Sequence, residues 1–235
     1  MPAVSPSRPG NRLLAALSAA DFGLLQPHLQ PVSLKLRLDL ERPDRRIDDV
    51  YFPQVGIASV VALQSKGTRV EVGLIGSEGM SGTSIVLGND RSPHETYIQV
   101  AGEGQRISAP KLREAMKASD SLRSLFLRYV QVFMVQTAHT AIANARSKLD
   151  ARLARWLLMA HDRVRDKTLP LTHEFLSLML GVRRAGVTEA LHSLQSQNLI
   201  HAGRGEIVVR DRKGIERAAG EAYGKPEAEF RRLIG

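Results

Sequence analysis

From Leu122 to Arg146 the sequence reads LRSLFLRYVQVFMVQTAHTAIANAR, without a Gly or a Pro. A run of this length and composition is a helix, and its apolar residues fall in three stripes rather than one. Leu122, Leu125, Tyr129, Val132, Gln136, His139 and Ala143 recur at spacings of three and four. Phe126, Val130, Phe133 and Thr137 make a second stripe, and Leu127, Met134, Ala138 and Ala141 a third. A helix apolar nearly all round must be buried on more than one face. One face can cover the segment that precedes it. The other fits a second copy of the chain packed as a coiled coil. The seam is read as Leu122, Leu125, Tyr129, Val132, Phe133, Gln136, His139 and Ala143. A central helix inside a monomer is the competing reading.

The segments on either side differ in kind. Residues 11–30 predict two short helices, with Ser18 as a cap. From Pro31 to about Ala109, runs such as VSLKLRL, VYFPQ, GIASVVALQ, TRVEVGLIG, TYIQVAG and QRISA are β-branched or alternating. Gly, Asn, Asp and Pro separate them at short intervals, which predicts a small antiparallel sandwich or barrel. After the long helix, SKLDARLARWLLMAHDRV predicts an amphipathic helix capped near Ser147. A helix pair around Gly181, a hairpin over LIHAGRGEIVVRD and a short helix over KGIERAAGEAYG follow. The last eleven residues carry few anchors and are expected to fray.

The chain of 235 residues holds 33 Lys and Arg against 24 Asp and Glu, a net charge of +9. Such a balance favours a polyanionic partner. No run of apolar residues is long enough to predict a membrane span. The opening MPAVSPSRPG has no apolar run behind its charges, so it predicts a flexible leader rather than a signal peptide, and a cytoplasmic protein. Zero Cys excludes disulfides, iron–sulfur clusters and Cys-based zinc sites.

The densest pattern lies between His173 and His192. Leu176, Leu180, Val182, Val187 and Ala190 sit where the two helices of a helix-turn-helix meet, and Ser177 sits where they cross most closely. Gly181 supplies the turn and Thr172 an N-cap. The second helix opens with Arg183 and Arg184, then Gly186. Cations at a helix N-terminus oppose the dipole, and a helical Gly costs about 1 kcal/mol against Ala. Both penalties become useful if that tip enters a DNA groove, where free N–H groups and guanidinium groups converge on phosphates and base edges. The candidate DNA-binding residues are Thr172, His173, Arg183, Arg184, Gly186, Thr188, Glu189 and Ser193, with Arg204 and Gly205 at the tip of the wing. Arg210, Arg212 and Lys213 on the wing's return are further phosphate candidates.

With LTHEFLSLMLGVRRAGVTEALHSLQSQNLIHAGRGEIVV as its most specific part, the chain resembles the cyclic-AMP receptor protein and fumarate–nitrate regulator (CRP/FNR) family of bacterial transcription factors. The resemblance implies an α+β fold in three parts. Residues 1–118 are an N-terminal antiparallel, jelly-roll-like β-roll with a flexible leader. Residues 119–148 are a long dimerisation helix and hinge, and 149–235 a winged helix-turn-helix. It implies a homodimer on a pseudo-palindromic double-stranded DNA operator, contact with RNA polymerase, and a small-molecule effector. By similarity Arg184 matches the family's guanine-reading Arg. Ala185 stands where the archetype has Glu, Glu189 where it has a second Arg, and Arg183 replaces the usual small N-cap, so the archetypal operator is not implied. The family's cyclic-nucleotide pocket uses a Gly-Glu pair and, about ten residues on, Arg-Ser/Thr-Ala. Here only Glu78, Ser81, Arg91 and Ser92 are candidates and Pro93 follows, which implies an altered pocket.

Two other classes compete. A cupin-like enzyme needs clustered His and carboxylates for a metal, whereas the seven His are scattered and no His-x-His, Gly-x-Ser-x-Gly, P-loop or HExxH is present. A ligand-sensing interaction protein with a cyclic-nucleotide-binding-like domain would bind protein rather than DNA. No metal and no certain cofactor is expected.

Overall fold

The computed structural model describes residues 10–63, 69–164 and 168–235. Most of the predicted leader lies outside the described residues. Two short helices, α1 (Arg12–Ala15) and α2 (Ala19–Leu25), open the chain, and the Ser18 hydroxyl caps α2 as expected by accepting from Asp21 N–H. Four strands, β1 (Gln30–Leu34), β5 (Glu95–Ser108), β3 (Asp49–Leu63) and β4 (Arg69–Ile75), form one antiparallel sheet in that order, and β2 (Asp39–Glu41) pairs with β5.

Runs that read as separate strands in the sequence fuse into two long ones. VYFPQ and GIASVVAL are both in β3, and TYIQVAG and QRIS are both in β5. Their glycines are bulges rather than turns. Register shifts near Pro53, Val55 and Ile57 bend β3 against β5, with Gly56 at φ +97°. A Cβ on Gly102 would lie 2.1 Å from the Val55 carbonyl oxygen. Backbone cannot retreat from that clash, so Gly102→Ala should destabilise by about 3 kcal/mol and lower Tm by several degrees in thermal unfolding.

The helix α3 (Thr83–Val86) and α4 (Ala109–Ala118) lead to α5 (Asp120–Arg146), which is capped by Ser119 accepting from Leu122 N–H. The residues read as a seam prove to be engaged within the chain. Leu122, Leu125, Tyr129, Val132, Gln136 and Ala143 are buried, and Phe133 and His139 half-buried. The reason is the edge of the sheet. The Gln136 side chain accepts from Leu74 N–H at 2.6 Å and donates to Leu74 O, so its amide pairs β4 as a further strand would. Phe133 rests against Gly73, where a Cβ would come within 2.7 Å of the ring, and Tyr129 donates to Met80 O. The outward face is the third stripe. Ser124, Leu127, Gln131, Met134, Ala138, Ala141 and Ala145 are all exposed, at alternating spacings of three and four.

Beyond Arg146 the chain forms α6 (Leu149–His161), β6 (Thr168–Leu169), α7 (His173–Leu180), α8 (Arg184–Ser196), β7 (Ile200–Gly203), β8 (Glu206–Val209), α9 (Arg212–Ala219) and α10 (Lys225–Leu233). Ser147 closes α5 instead of capping α6, whose N-cap is Lys148. The C-terminal residues expected to fray instead form α10, packed on α5 through Pro226 and Phe230, with the Arg12 guanidinium 4.5 Å from the Phe230 ring. A single apolar core joins α6–α9 to Ile57 and Leu74 of the sheet, so the C-terminal region is docked on the β domain.

Candidate nucleic-acid interface

The helix-turn-helix is built locally, and its local determinants are the ones visible in the sequence. Thr172 Oγ1 accepts from Phe175 N–H and starts α7. Gly181 ends it in the left-handed region, at φ +62°. Ser177 Oγ then donates to Val182 O at 2.7 Å, which pulls the turn back onto α7. Leu176, Leu180, Val187, Ala190, Leu191 and Leu194 close the core between the two helices. The wing is β7 and β8 joined by Arg204 and Gly205, with Gly203 opposite Glu206 and Gly205 at φ +79°, and β6 adds a third strand.

The N-cap position of α8 is Arg183, and no side chain caps the first turn. Its N–H groups therefore face outward unshielded, beside Arg183 and Arg184, both exposed. Neither these two nor Arg204 forms an ion pair among the described residues. His173 Nδ1 lies 3.1 Å from Thr188 Oγ1, and Thr188 donates to Arg184 O. Thr172, His173, Arg184 and Thr188 are thereby brought to one surface, with Glu189 exposed beside them and Arg204 and Gly205 exposed at the wing tip.

Three basic or small candidates have other duties. Gly186 faces α6, where a Cβ would meet Leu149 Cδ2 at 3.1 Å, so its missing side chain lets α8 pack closely on α6. Ser193 Oγ donates to Asp150 Oδ2 at 2.7 Å and ties α8 to α6. Arg212 turns inward to Asp162, Glu216 and the Tyr223 hydroxyl.

The four effector candidates are not brought together. Glu78 pairs at 2.7 Å with the buried Arg163, just beyond the end of α6. Ser81 Oγ accepts from Tyr51 N–H, and Ser92 Oγ from His94 N–H. Arg91 lies on the surface, reaching Asp44 O and Asp90. At the start of α3 the Gly82 N–H donates to the buried Glu41 carboxylate at 2.7 Å, and a Cβ there would meet Val50. Glu78, Ser81, Arg91 and Ser92 thus each have separate partners within the chain.

The sequence did not single out the contacts that hold the C-terminal region to the sheet. Besides Arg163–Glu78, Trp156 Nε1 donates to Glu71 Oε1 at 2.6 Å, and Glu71 Oε2 meets Ser59 Oγ, also at 2.6 Å. Arg155 reaches Gln136 O and Thr140 Oγ1, and Arg152 reaches Asn144 Oδ1 and Leu180 O. A lone Glu in TRVEVGLIG and a Trp in the next domain carry no spacing that links them. Glu71 is fully buried. Desolvation drives its pKa from 4.5 to about 7, against the opposing pull of Ser59, Trp156, Arg155 and Arg163. A carboxyl that holds its proton more tightly when folded loses stability as pH rises from its unfolded to its folded value. Folding should therefore weaken by about 3 kcal/mol between pH 4.5 and pH 7 through this group. Urea unfolding across that range should show the slope, and Glu71→Gln should flatten it.

Comparison with known proteins agrees with this architecture. Residues 151–218 match the family described as Crp-like helix-turn-helix domain. The chain is 23% identical to the global nitrogen regulator of Nostoc sp. over 179 residues, covering 71% of this chain and 79% of that one. A transcriptional regulator of the CRP/FNR family from Eubacterium rectale superposes with a TM-score of 0.69 at 19% identity, covering 88% of this chain and 97% of that one. FixK2 from Bradyrhizobium japonicum also gives 0.69, at 16% identity, over 83% of this chain and 99% of that one. Residues 151–218 therefore match a Crp-like helix-turn-helix domain, and the chain has the fold seen in these solved CRP/FNR-family structures.

Proposed function

We propose that the chain is a homodimeric, sequence-specific DNA-binding regulator whose reading head is the tip of α8. The observation that carries this is the uncapped α8 N-terminus with Arg183 and Arg184 exposed and unpaired beside Thr172, His173 and Thr188. Arg184 is long enough to reach guanine O6 and N7, and Thr172, the first-turn N–H groups and Arg204 would hold phosphates. Glu189 would accept from a cytosine amine. Two copies would join along Ser124, Leu127, Gln131, Met134, Ala138, Ala141 and Ala145, a face whose small residues let helices approach closely. Leu127, Met134 and Ile142 are three of the seven large apolar side chains exposed among the described residues, a liability that a second α5 would remove.

Gating follows from the docking contacts. In this arrangement each head is held to its own β domain through Glu71–Trp156 and Glu78–Arg163, and a signal that breaks them would free it to swing about Arg146–Lys148. Mobility shift of the wild-type protein on a random-sequence duplex tests the electrostatic part. Log affinity should fall linearly with log salt, with a slope of several units from phosphate neutralisation. A salt-independent or absent shift would remove DNA as the partner.

A further inference from the structure

Between the sheet and the first helix of the helix-turn-helix lies a cavity of about 710 Å³. Arg37, Arg69, Tyr97 and Gln99 line its β side, and Phe175 and Leu178 its α7 side. Among the described residues, two buried side-chain atoms lack a hydrogen-bond partner, Arg69 Nε and Gln99 Nε2, and both belong to this lining. Buried donors are almost always satisfied, so two orphans in one cavity call for an acceptor from outside. Gln99 is 5% exposed, and its Oε1 is taken by Ser59 Oγ. The single Ser59 proton goes to Gln99 when Glu71 is protonated, which leaves the amide N–H groups facing the cavity.

The charges set the polarity of a guest. Arg69 is already paired with Glu95 through its other nitrogen, and Asp39 with Arg42. Arg37 forms no ion pair among the described residues. It is held in place by a backbone conformation that L residues rarely adopt, φ +66°, with its N–H on Ile98 O. On the opposite rim stand Glu174, Thr172 and Ser177, and the apolar part of that wall is Pro170, Phe175 and Leu178. An anionic head therefore belongs on the β side and an apolar body against Phe175 and Leu178. Thr172 lines the same cavity and is one of the residues proposed above for DNA phosphate.

We infer that this cavity binds a small organic carboxylate with an apolar body, and that the guest pins α7 to the β domain and weakens DNA binding. The second half rests on the DNA reading; the first does not. Trp156 is the chain's one tryptophan, and its ring lies 6.0 Å from that of Phe175, so its fluorescence reports occupancy. Titration with 4-phenylbutyrate should give a saturable change at millimolar concentration. The neutral 4-phenylbutyramide should bind at least about tenfold more weakly, as should the protein with Arg37→Ala or Gln99→Leu, because each removes a charge-assisted hydrogen bond or a donor. Arg37 is exposed, so its variant keeps the fold. No saturation, equal binding of the amide, or unchanged binding by Arg37→Ala would overturn the site. With the site occupied, affinity for DNA should fall several-fold in the wild type and not in Arg37→Ala. Binding of the probe with DNA affinity unchanged would overturn the pinning. Absence of DNA binding even without the probe would strike the DNA reading while the fluorescence still decided the site.

Discussion

Arg183→Ala with Arg184→Ala should weaken operator binding by at least about a hundredfold while leaving the fold slightly more stable. A guanidinium on a base edge or phosphate contributes about 1–3 kcal/mol, and a dimer presents each side chain twice. The salt slope should shrink as well, by about 0.9 for each phosphate no longer neutralised. The stability change has the opposite sign because both cations sit at the positive end of α8, where they cost a few tenths of a kcal/mol each. Mobility shift and thermal unfolding on the same variant check both halves. Binding through the second domain to protein rather than DNA would leave any DNA shift untouched by this pair.

The next largest effect should come from the outer face of α5. Leu127→Asp with Met134→Asp puts like charges on the exposed stripe and, across a parallel pair, opposite their own copies. The expected result is a monomer in sedimentation, with Tm little changed because both side chains are exposed in the single chain. DNA affinity should fall about 100-fold or more, since a lone head loses the effective concentration that its partner provides. Val132→Asp is the informative contrast. Val132 is buried beside Tyr129 and Gln136, so this change should lower Tm by many degrees before it alters assembly. A dimer that survives Leu127→Asp with Met134→Asp would place the seam elsewhere.

The two halves of this picture were unequally legible in the sequence. Helix-turn-helix geometry is set by neighbours within about twenty positions, so Thr172, Ser177, Gly181 and the wing at Arg204 and Gly205 could be read directly. The seam could not. All three stripes of α5 are apolar, and which one points outward depends on the free edge of β4 and on α10, both distant in sequence. Gln136 illustrates the difficulty: an amide at a heptad position reads as a register device in a coiled coil, yet here it pairs a strand edge. Gly186 is ambiguous in the same way, because a small residue admits a ligand or a neighbouring helix, and the packing against Leu149 shows only in three dimensions. Strand boundaries were over-counted for a related reason, since Gly56, Gly102 and Gly104 sit at bulges and close approaches rather than turns. The C-terminal helix was missed because Pro226 and Phe230 are few anchors without the surface they cover.

Selection of bound duplexes from a random-sequence pool tests the α8 tip and the α5 seam together. Enrichment of an inverted repeat is expected, its half-sites centred about 10 base pairs apart, roughly 34 Å along the duplex, with a G in each half-site that Arg184→Ala no longer requires. Enrichment of nothing, or of an unpaired half-site with the same preference in the Arg184→Ala protein, would contradict it.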